Sequence, residues 1–503
     1  MKYRIPAPGG MEKLAVDQSP KDIRCMILSM KTLVTLISGI VLATSLFAAT
    51  RVELPELGDT SSAIISPEAE RRLGQEFLRQ VRSQLPTIED PILKYYTKLQ
   101  LYELATHSQL KQVLLYPVLI DAKQINAWAA PGGIVGINLG LFLHAMDVHE
   151  YSSVLAHELA HLSQRHFARN VEAQQRMTLP TLIGFLVGAA IMATGSSEAG
   201  MAAMSGAQAI AQNQRLRYSR GREQEADRIG LTTLWRAGLD TDSMSRMFAR
   251  MQRTYRFTER PPEFLLTHPV TERRITDARN QSARYEKKVF PDSLEYQLMR
   301  ARARMHFVEN GAKALEEAKN IANDKVIDDY TLALAYDRAG RHDEAVMLVK
   351  TLLQEDPGSI LLCATFAELL INANEIKDAL DLLAHRLVIN PDNQPFAILY
   401  ARALNASKRH EDAKDVLWRQ ASINGDDVDV WYDLAETAGL AGDIVGVHRA
   451  RAEFFALNGD YQNAIQHLQY ALSLVTKPSQ RLVASLEQRL LDLRTQAEAA
   501  RET

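Results

Sequence analysis

The sequence predicts a mainly α protein: an α+β domain with a small sheet and one metal-binding helix, followed by an all-α solenoid. Three observations lead there. Val154-Leu-Ala-His-Glu-Leu-Ala-His-Leu162 sets two histidines four residues apart on an apolar helical pattern. Short runs rich in Val, Leu and Ile precede it and read as strands. From about Ser293 onward the periodicity is helical throughout, with alanines and prolines recurring at a fixed interval.

At 503 residues the chain exceeds one ordinary core, so two or more domains are expected. Its 58 Lys and Arg nearly balance 61 Asp and Glu, a formal charge of -3, and nothing electrostatic argues for nucleic acid as a partner. Cys25 and Cys363 are too few for a disulfide framework or a thiolate cluster, so any metal must be held by histidine and carboxylate. The expected division is 1–49 for an N-terminal extension and signal peptide, 50–290 for the metal-binding domain and 291–503 for the solenoid.

Lys31 precedes an apolar run from Leu33 to Ala49 that ends in small residues, the pattern of a secretory signal peptide with cleavage near Ala49. Residues 1–29 lack that pattern, which makes Met30 an alternative start. Phe47 is bulky for the position three before cleavage, so an uncleaved membrane anchor is the competing reading. Either route exports the rest. Cleavage removes Cys25 and leaves Cys363 in an apolar helical context that suits a buried thiol.

Ser66-Pro67-Glu68 opens a helix that runs through Leu85, and a second spans Pro91 to about His107. Lys111 to Ala122 reads as a strand. Asn126-Ala-Trp-Ala-Ala-Pro-Gly-Gly133, followed by Ile134-Val-Gly-Ile137, gives two extended segments joined by a turn. Asn126, Ala127, Trp128 and Ala129 are placed either as a strand beside the metal helix that pairs with substrate backbone or as part of a structural hairpin. A nearly uncharged run from Leu179 to Met192, with a Gly/Ala/Met-rich stretch to Ala211, falls just short of a membrane span. It reads either as a helical pair over the site that touches lipid peripherally or as a buried core hairpin.

Asp147 is the expected N-cap of the metal helix, with Glu150 three residues on and Tyr151, Val154, Leu155, Leu159 and Leu162 toward the core. His157 and His161 then offer two imidazoles to one metal, with Glu158 beside them. The competing reading is a core helix with two satisfied histidines. A hydrolytic zinc needs a third protein ligand and an open position for water. In Tyr218-Ser-Arg-Gly-Arg-Glu-Gln-Glu-Ala-Asp-Arg-Ile-Gly230, both Glu223 and Glu225 compete for that role. Glu223 shares a helix face with Asp227 and Glu225 does not, so Glu223 fits as the ligand and Asp227 as a group that orients a ligand imidazole or steadies the reacting groups.

His157-Glu-Leu-Ala-His161, Glu223-x-x-Ala-Asp227, Thr267-His-Pro-x-x-x-x-Arg-Ile275 and the upstream Asn126-Ala-Trp-Ala together resemble the zinc metallopeptidase family that includes the CAAX prenyl proteases and the HtpX-type membrane proteases. The soluble, repeat-bearing branch of that family is similar almost end to end. The resemblance implies a gluzincin-type zinc endopeptidase with one zinc per chain. It makes His157, His161 and Glu223 ligands, Glu158 the catalytic base and Asp227 a further active-site residue. It also implies the periplasm as location, with unfolded or misassembled outer-membrane β-barrel proteins and their assembly machinery as partners. Trp128, where the family usually has Phe, departs mildly from the pattern.

In the solenoid, Ala345, Ala379 and Ala413 are spaced by 34 residues, as are Pro357 and Pro391, with Gly425 at the next equivalent place. Thirty-four is the tetratricopeptide period, and four or more repeats are expected. Trp431, Leu434 and Ala435 continue the pattern, and Gly459-Asp460 with Ala464 give a further hairpin before Pro478 and a final helix. Such arrays offer a concave surface to a protein segment. Two functions compete: a zinc endopeptidase that, as the resemblance implies, is also a chaperone assisting outer-membrane β-barrel assembly and degrading misassembled proteins, or a tetratricopeptide-repeat adaptor or chaperone whose metal site is weak or silent. His268 adds a third question. Pro269 holds it on a turn, where it is a local hydrogen-bonder, a fourth imidazole that gates the zinc, or an oxyanion stabiliser once released.

Overall fold

Both opening helices start on a proline preceded by a capping side chain. Ser66 accepts from the Ala69 amide at the head of α1 (Pro67–Gln84), and Asp90 accepts from Ile92 and Leu93 at the head of α2 (Pro91–His107). The computed structural model describes residues 66–111, 114–169, 184, 187, 188, 191, 220–255, 268–286, 288–320, 324–475 and 480–502. The expected signal peptide lies outside them, as does most of 179–211. Of that stretch, Val187 and Ile191 are buried in an apolar cluster with Leu73, Phe77, Val81 and Ile134. Among the described residues no helix is long and apolar enough to cross a membrane.

Three strands follow: β1 (Tyr116–Ile120), β2 (Ala127–Ala130) and β3 (Ile134–Asn138), in the order β1-β3-β2. The expected hairpin is β2 antiparallel to β3, while β1 runs parallel to β3. β1 is shorter than the run of apolar residues suggests. The Tyr102 hydroxyl accepts from the Leu115 amide and donates to its carbonyl, and after Ile120 the Ala122 amide turns back to the Ile120 carbonyl at 2.9 Å.

The two sheet edges are treated differently. On β1, Pro117 has no N–H to offer and the Leu119 carbonyl accepts from Ile88 at 2.9 Å. On β2, the Asn138 amide donates to the Asn126 carbonyl at 3.0 Å, so by antiparallel alternation Asn126 and Trp128 bond inward to β3. Ala127 and Ala129 therefore turn their backbone groups outward, and among the described residues no strand pairs with that edge.

After the short α3 (Gly140–His144) comes α4 (Val148–Ser163), buried on every side from Val148 to His161. Asp147 caps it, accepting from Glu150 at 2.7 Å, and Glu150 in turn accepts from the Met146 amide at 2.9 Å. The Glu150 carboxylate is itself buried and is compensated by two N–H groups of Arg250 at 3.1 and 3.0 Å. α5 (Arg220–Arg236) crosses α4 at Gly230, where a Cβ would stand 3.3 Å from the Ala156 carbonyl. Only small residues permit this approach, and it brings one face of α5 within reach of the α4 histidines. α6 (Asp242–Tyr255) seals the crossing with Met244, Met247, Phe248 and Met251, and α7 (Glu272–Ser282) starts on the Thr271 cap.

The solenoid opens with α8 (Leu294–His306) and α9 (Gly311–Asn320). Helical hairpins follow: α10 (Lys325–Arg338) with α11 (His342–Glu355), α12 (Ile360–Asn372) with α13 (Ile376–Ile389), and α14 (Gln394–Ala406) with α15 (His410–Ile423). Then come α16 (Val428–Leu440) with α17 (Ile444–Leu457), and α18 (Tyr461–Leu474) with α19 (Gln480–Glu502). Ala345, Ala379 and Ala413 are fully buried, as close helix contact demands. The turns inside the first four of these hairpins take a left-handed residue at the same 34-residue spacing: Gly340, Asn374, Lys408 and Gly442, with φ of 72°, 62°, 62° and 76°. The array curls back onto the first two helices. Lys94 of α2 bridges Asp427 and Asp429 at 2.7 Å each, and the Arg79 guanidinium lies over the Tyr461 ring at 5.3 Å.

Candidate metal centre

His157, His161, Glu223 and His268 converge in a buried cluster whose ligating atoms all lie within 4.8 Å of one another. The Nε2 atoms of His157 and His161 are 3.0 Å apart, as the one-turn spacing on α4 requires. Glu223, from α5, places its carboxylate 3.6 Å from His157 Nε2 and 3.5 Å from His161 Nε2. His268 sits just before α7 with Nδ1 at 3.1 Å from Glu223 Oε1 and 3.4 Å from His157 Nε2. Glu225 points elsewhere, to His166 and Arg169.

The groups behind the cluster fix its chemistry. Asp227 Oδ1 lies 2.9 Å from His157 Nδ1, which puts the imidazole proton on Nδ1 and leaves the Nε2 lone pair facing the cluster. The donor set is the one zinc takes: neutral imidazoles and a carboxylate, with a carboxylate oriented behind a histidine. Two residues with no role assigned from sequence prove central. Arg274 of α7 forks onto Asp227, pairs with Glu223 at 2.9 Å, donates to the Pro269 carbonyl and stacks over Phe248. It stands within the Thr267-His-Pro-x-x-x-x-Arg-Ile275 pattern, which marked its presence without its task. His166, five residues past His161, is fully buried with its Nδ1 2.8 Å from His161 Nδ1.

The charges divide accordingly. Burial works against protonating His157, yet Asp227 and Glu223 outweigh it and raise its pKa to about 9, so Nε2 gives up a proton when it takes a metal. Burial, with His157 beside it, holds His161 well below the usual imidazole range. Glu223 and Asp227 resist burial and stay ionised, the first held low by His268 and His157, the second by Arg274. Burial raises the pKa of Glu158, whose carboxylate meets the Ala129 amide on the open edge of β2 and lies 3.8 Å from His268 Nε2. A carboxylate of raised pKa is a stronger base, placed between the cluster and a strand edge. Trp128 lies across Gly136, where a Cβ would meet the indole at 2.2 Å, and packs edge-on against Phe77.

Histidines one turn apart, a carboxylate from a crossing helix and a glutamate beside the first histidine define a zinc metallopeptidase. Residues 95–282 match the family model described as Peptidase family M48, and residues 338–387 match Tetratricopeptide repeat. The chain is 32% identical to the "Beta-barrel assembly-enhancing protease" of Escherichia coli strain K12, over 89% of this chain and 91% of that one. It is 31% identical to the protein of the same name from Yersinia pestis, over 88% and 90% of the two chains. A shorter stretch, 30% of this chain and 29% of the relative, is 32% identical to "Metalloendopeptidase OMA1, mitochondrial" of Bos taurus. The chain belongs to peptidase family M48, together with these assembly-enhancing proteases, and it is a zinc-dependent metalloendopeptidase.

Proposed function

We propose that this chain acts in the periplasm as a zinc endopeptidase and chaperone, assisting assembly of outer-membrane β-barrel proteins and degrading misassembled ones. The names of its relatives support that substrate class. In this reading residues 1–49 export the chain, 50–290 form the protease domain, and 291–503 bind client proteins or the assembly machinery. The observation that carries the proteolytic part is the meeting of His157, His161 and Glu223 beside Glu158.

His157 and His161, through Nε2, and Glu223, through its carboxylate, would hold the zinc. Bound there, zinc lowers the pKa of a water towards about 7 and polarises a scissile carbonyl. An extended client segment adds to the outer edge of β2, bonding to the Ala127 backbone and the Ala129 carbonyl while the Ala129 amide stays with Glu158. That lays the peptide bond against Glu158, which takes the water's proton on its carboxylate and passes it to the leaving amine. Asp227 keeps His157 in the correct tautomer throughout.

In this reading His268, with Nδ1 3.4 Å from His157 Nε2 and 3.1 Å from Glu223 Oε1, is the gate that closes the site. It favours an adaptor mode, in which the repeats engage a client without cleavage until the loop at Pro269 withdraws the imidazole. The test is degradation of an unfolded β-barrel protein by the purified zinc-loaded chain. Zinc bound with no cleavage under any condition would leave the adaptor reading alone.

A further inference from the structure

We propose that His166 is a positioning residue for the metal centre, linking His161 to Glu225 in a relay from carboxylate through imidazole to imidazole. The inference rests on the reading above that His161 holds the zinc. Its first support is a strained backbone. Arg165, just after α4, adopts φ 49°, a left-handed conformation that a residue with a Cβ rarely takes. The strain is held in place by the Arg165 amide, which donates to Leu162 at 3.0 Å, and by its side chain, which pairs with Glu70 of α1 at 3.0 Å. What the reversal achieves is to send His166 back under the metal helix, fully buried, with Nδ1 2.8 Å from His161 Nδ1.

The second support is a consistent set of tautomers along the chain of contacts. His161 presents Nε2 to the cluster, so its proton is on Nδ1 and is donated to Nδ1 of His166. His166 then carries its own proton on Nε2 and donates it to Glu225 Oε2 at 3.1 Å. Arg169 anchors that carboxylate at 3.2 Å, and Arg222 donates to the Arg169 carbonyl at 2.9 Å. Each zinc histidine thus has its own orienting chain: Asp227 directly behind His157, and His166 with Glu225 behind His161. Glu225, passed over as a ligand, has a reason to lie two residues from Glu223 on the same helix.

The experiment measures zinc affinity of the full chain by chelator competition, together with the visible spectrum of the Co(II)-substituted protein. His166→Phe keeps a planar ring and removes the acceptor; it should weaken zinc binding roughly 10–100-fold and shift the Co(II) bands. His166→Asn, whose carbonyl still accepts from His161, should recover part of that loss, which a packing role alone would not produce. Should His166→Phe fail to fold, Glu225→Ala at the half-exposed end of the relay carries the same test with a smaller loss expected. Wild-type affinity and spectrum in either folded variant overturn the relay. A wild-type chain that takes up no zinc overturns the proposed function instead.

Discussion

Arg274 holds Asp227 by two parallel bonds, Nε to Oδ2 at 2.8 Å and Nη2 to Oδ1 at 2.7 Å, and through Asp227 it fixes the ring of His157. The pair is buried, so removing the cation strands two carboxylates, Asp227 and Glu223, out of water. Arg274→Ala should therefore destabilise the metal-free protein by about 3–5 kcal/mol. Arg274→Lys keeps the charge but loses the fork and should fall between. Denaturant unfolding of the three proteins without zinc checks the order.

Glu158→Gln should retain zinc and fold while losing a factor of about 10² or more in peptide hydrolysis, because the amide cannot take the water's proton. Zinc content and cleavage measured on one preparation separate these effects. Cleavage at the wild-type rate would show that another group is the base.

His268→Ala should raise basal hydrolysis severalfold if the imidazole, 3.4 Å from His157 Nε2 and 3.1 Å from Glu223, gates the metal site as proposed. A fall instead would mean that its main task is to support the oxyanion from the Glu158 side, where Nε2 lies 3.8 Å away. Initial rates on a short peptide, which needs no help from the repeats, distinguish the two signs.

Lys408 occupies a left-handed turn position that Gly340 and Gly442 fill elsewhere in the array. A Cβ there is strained, and Lys408→Gly should stabilise the protein by about 1 kcal/mol without altering cleavage. A lower denaturation midpoint for the glycine variant would show that the lysine side chain contributes more than its backbone costs.

Burial pushes the Asp433 carboxyl up from 3.8 to about 6, against the pull of Arg402 and with the help of Asp429. A carboxyl raised in the folded state binds its proton more tightly there than in the unfolded chain. Its contribution is therefore fully present below pH 3.8 and is lost as pH rises towards 6. Its side chain is 32% exposed, which screens the effect. Asp433→Asn should be more stable than wild type by up to about 1 kcal/mol at pH 7, with the difference vanishing near pH 4. Unfolding curves at the two pH values decide this.

The sequence by itself determined what local periodicity controls. One turn between His157 and His161 puts them on the same face of any helix, and Glu223 with Asp227 obeys the same rule. The 34-residue spacing of Ala345, Ala379 and Ala413 made the solenoid legible for the same reason. The left-handed turns at 340, 374, 408 and 442 were harder to see because Gly, Asn and Lys share no chemistry there, only a backbone angle. What the tertiary structure decided is how separate pieces of chain meet. Gly230 against Ala156 sets how closely α5 crosses α4, and the face α5 turns to that crossing brings Glu223 to the histidines while Glu225 reaches His166. Arg274 and His166 acquired their tasks only there, since a buried ion pair across 47 residues and an imidazole returned by one reversed backbone angle leave no periodic trace. The unlike edges of the sheet belong to the same class. Pro117 and Ala129 announce themselves as residues, but which of them borders Glu158 depends on the order in which three strands pack.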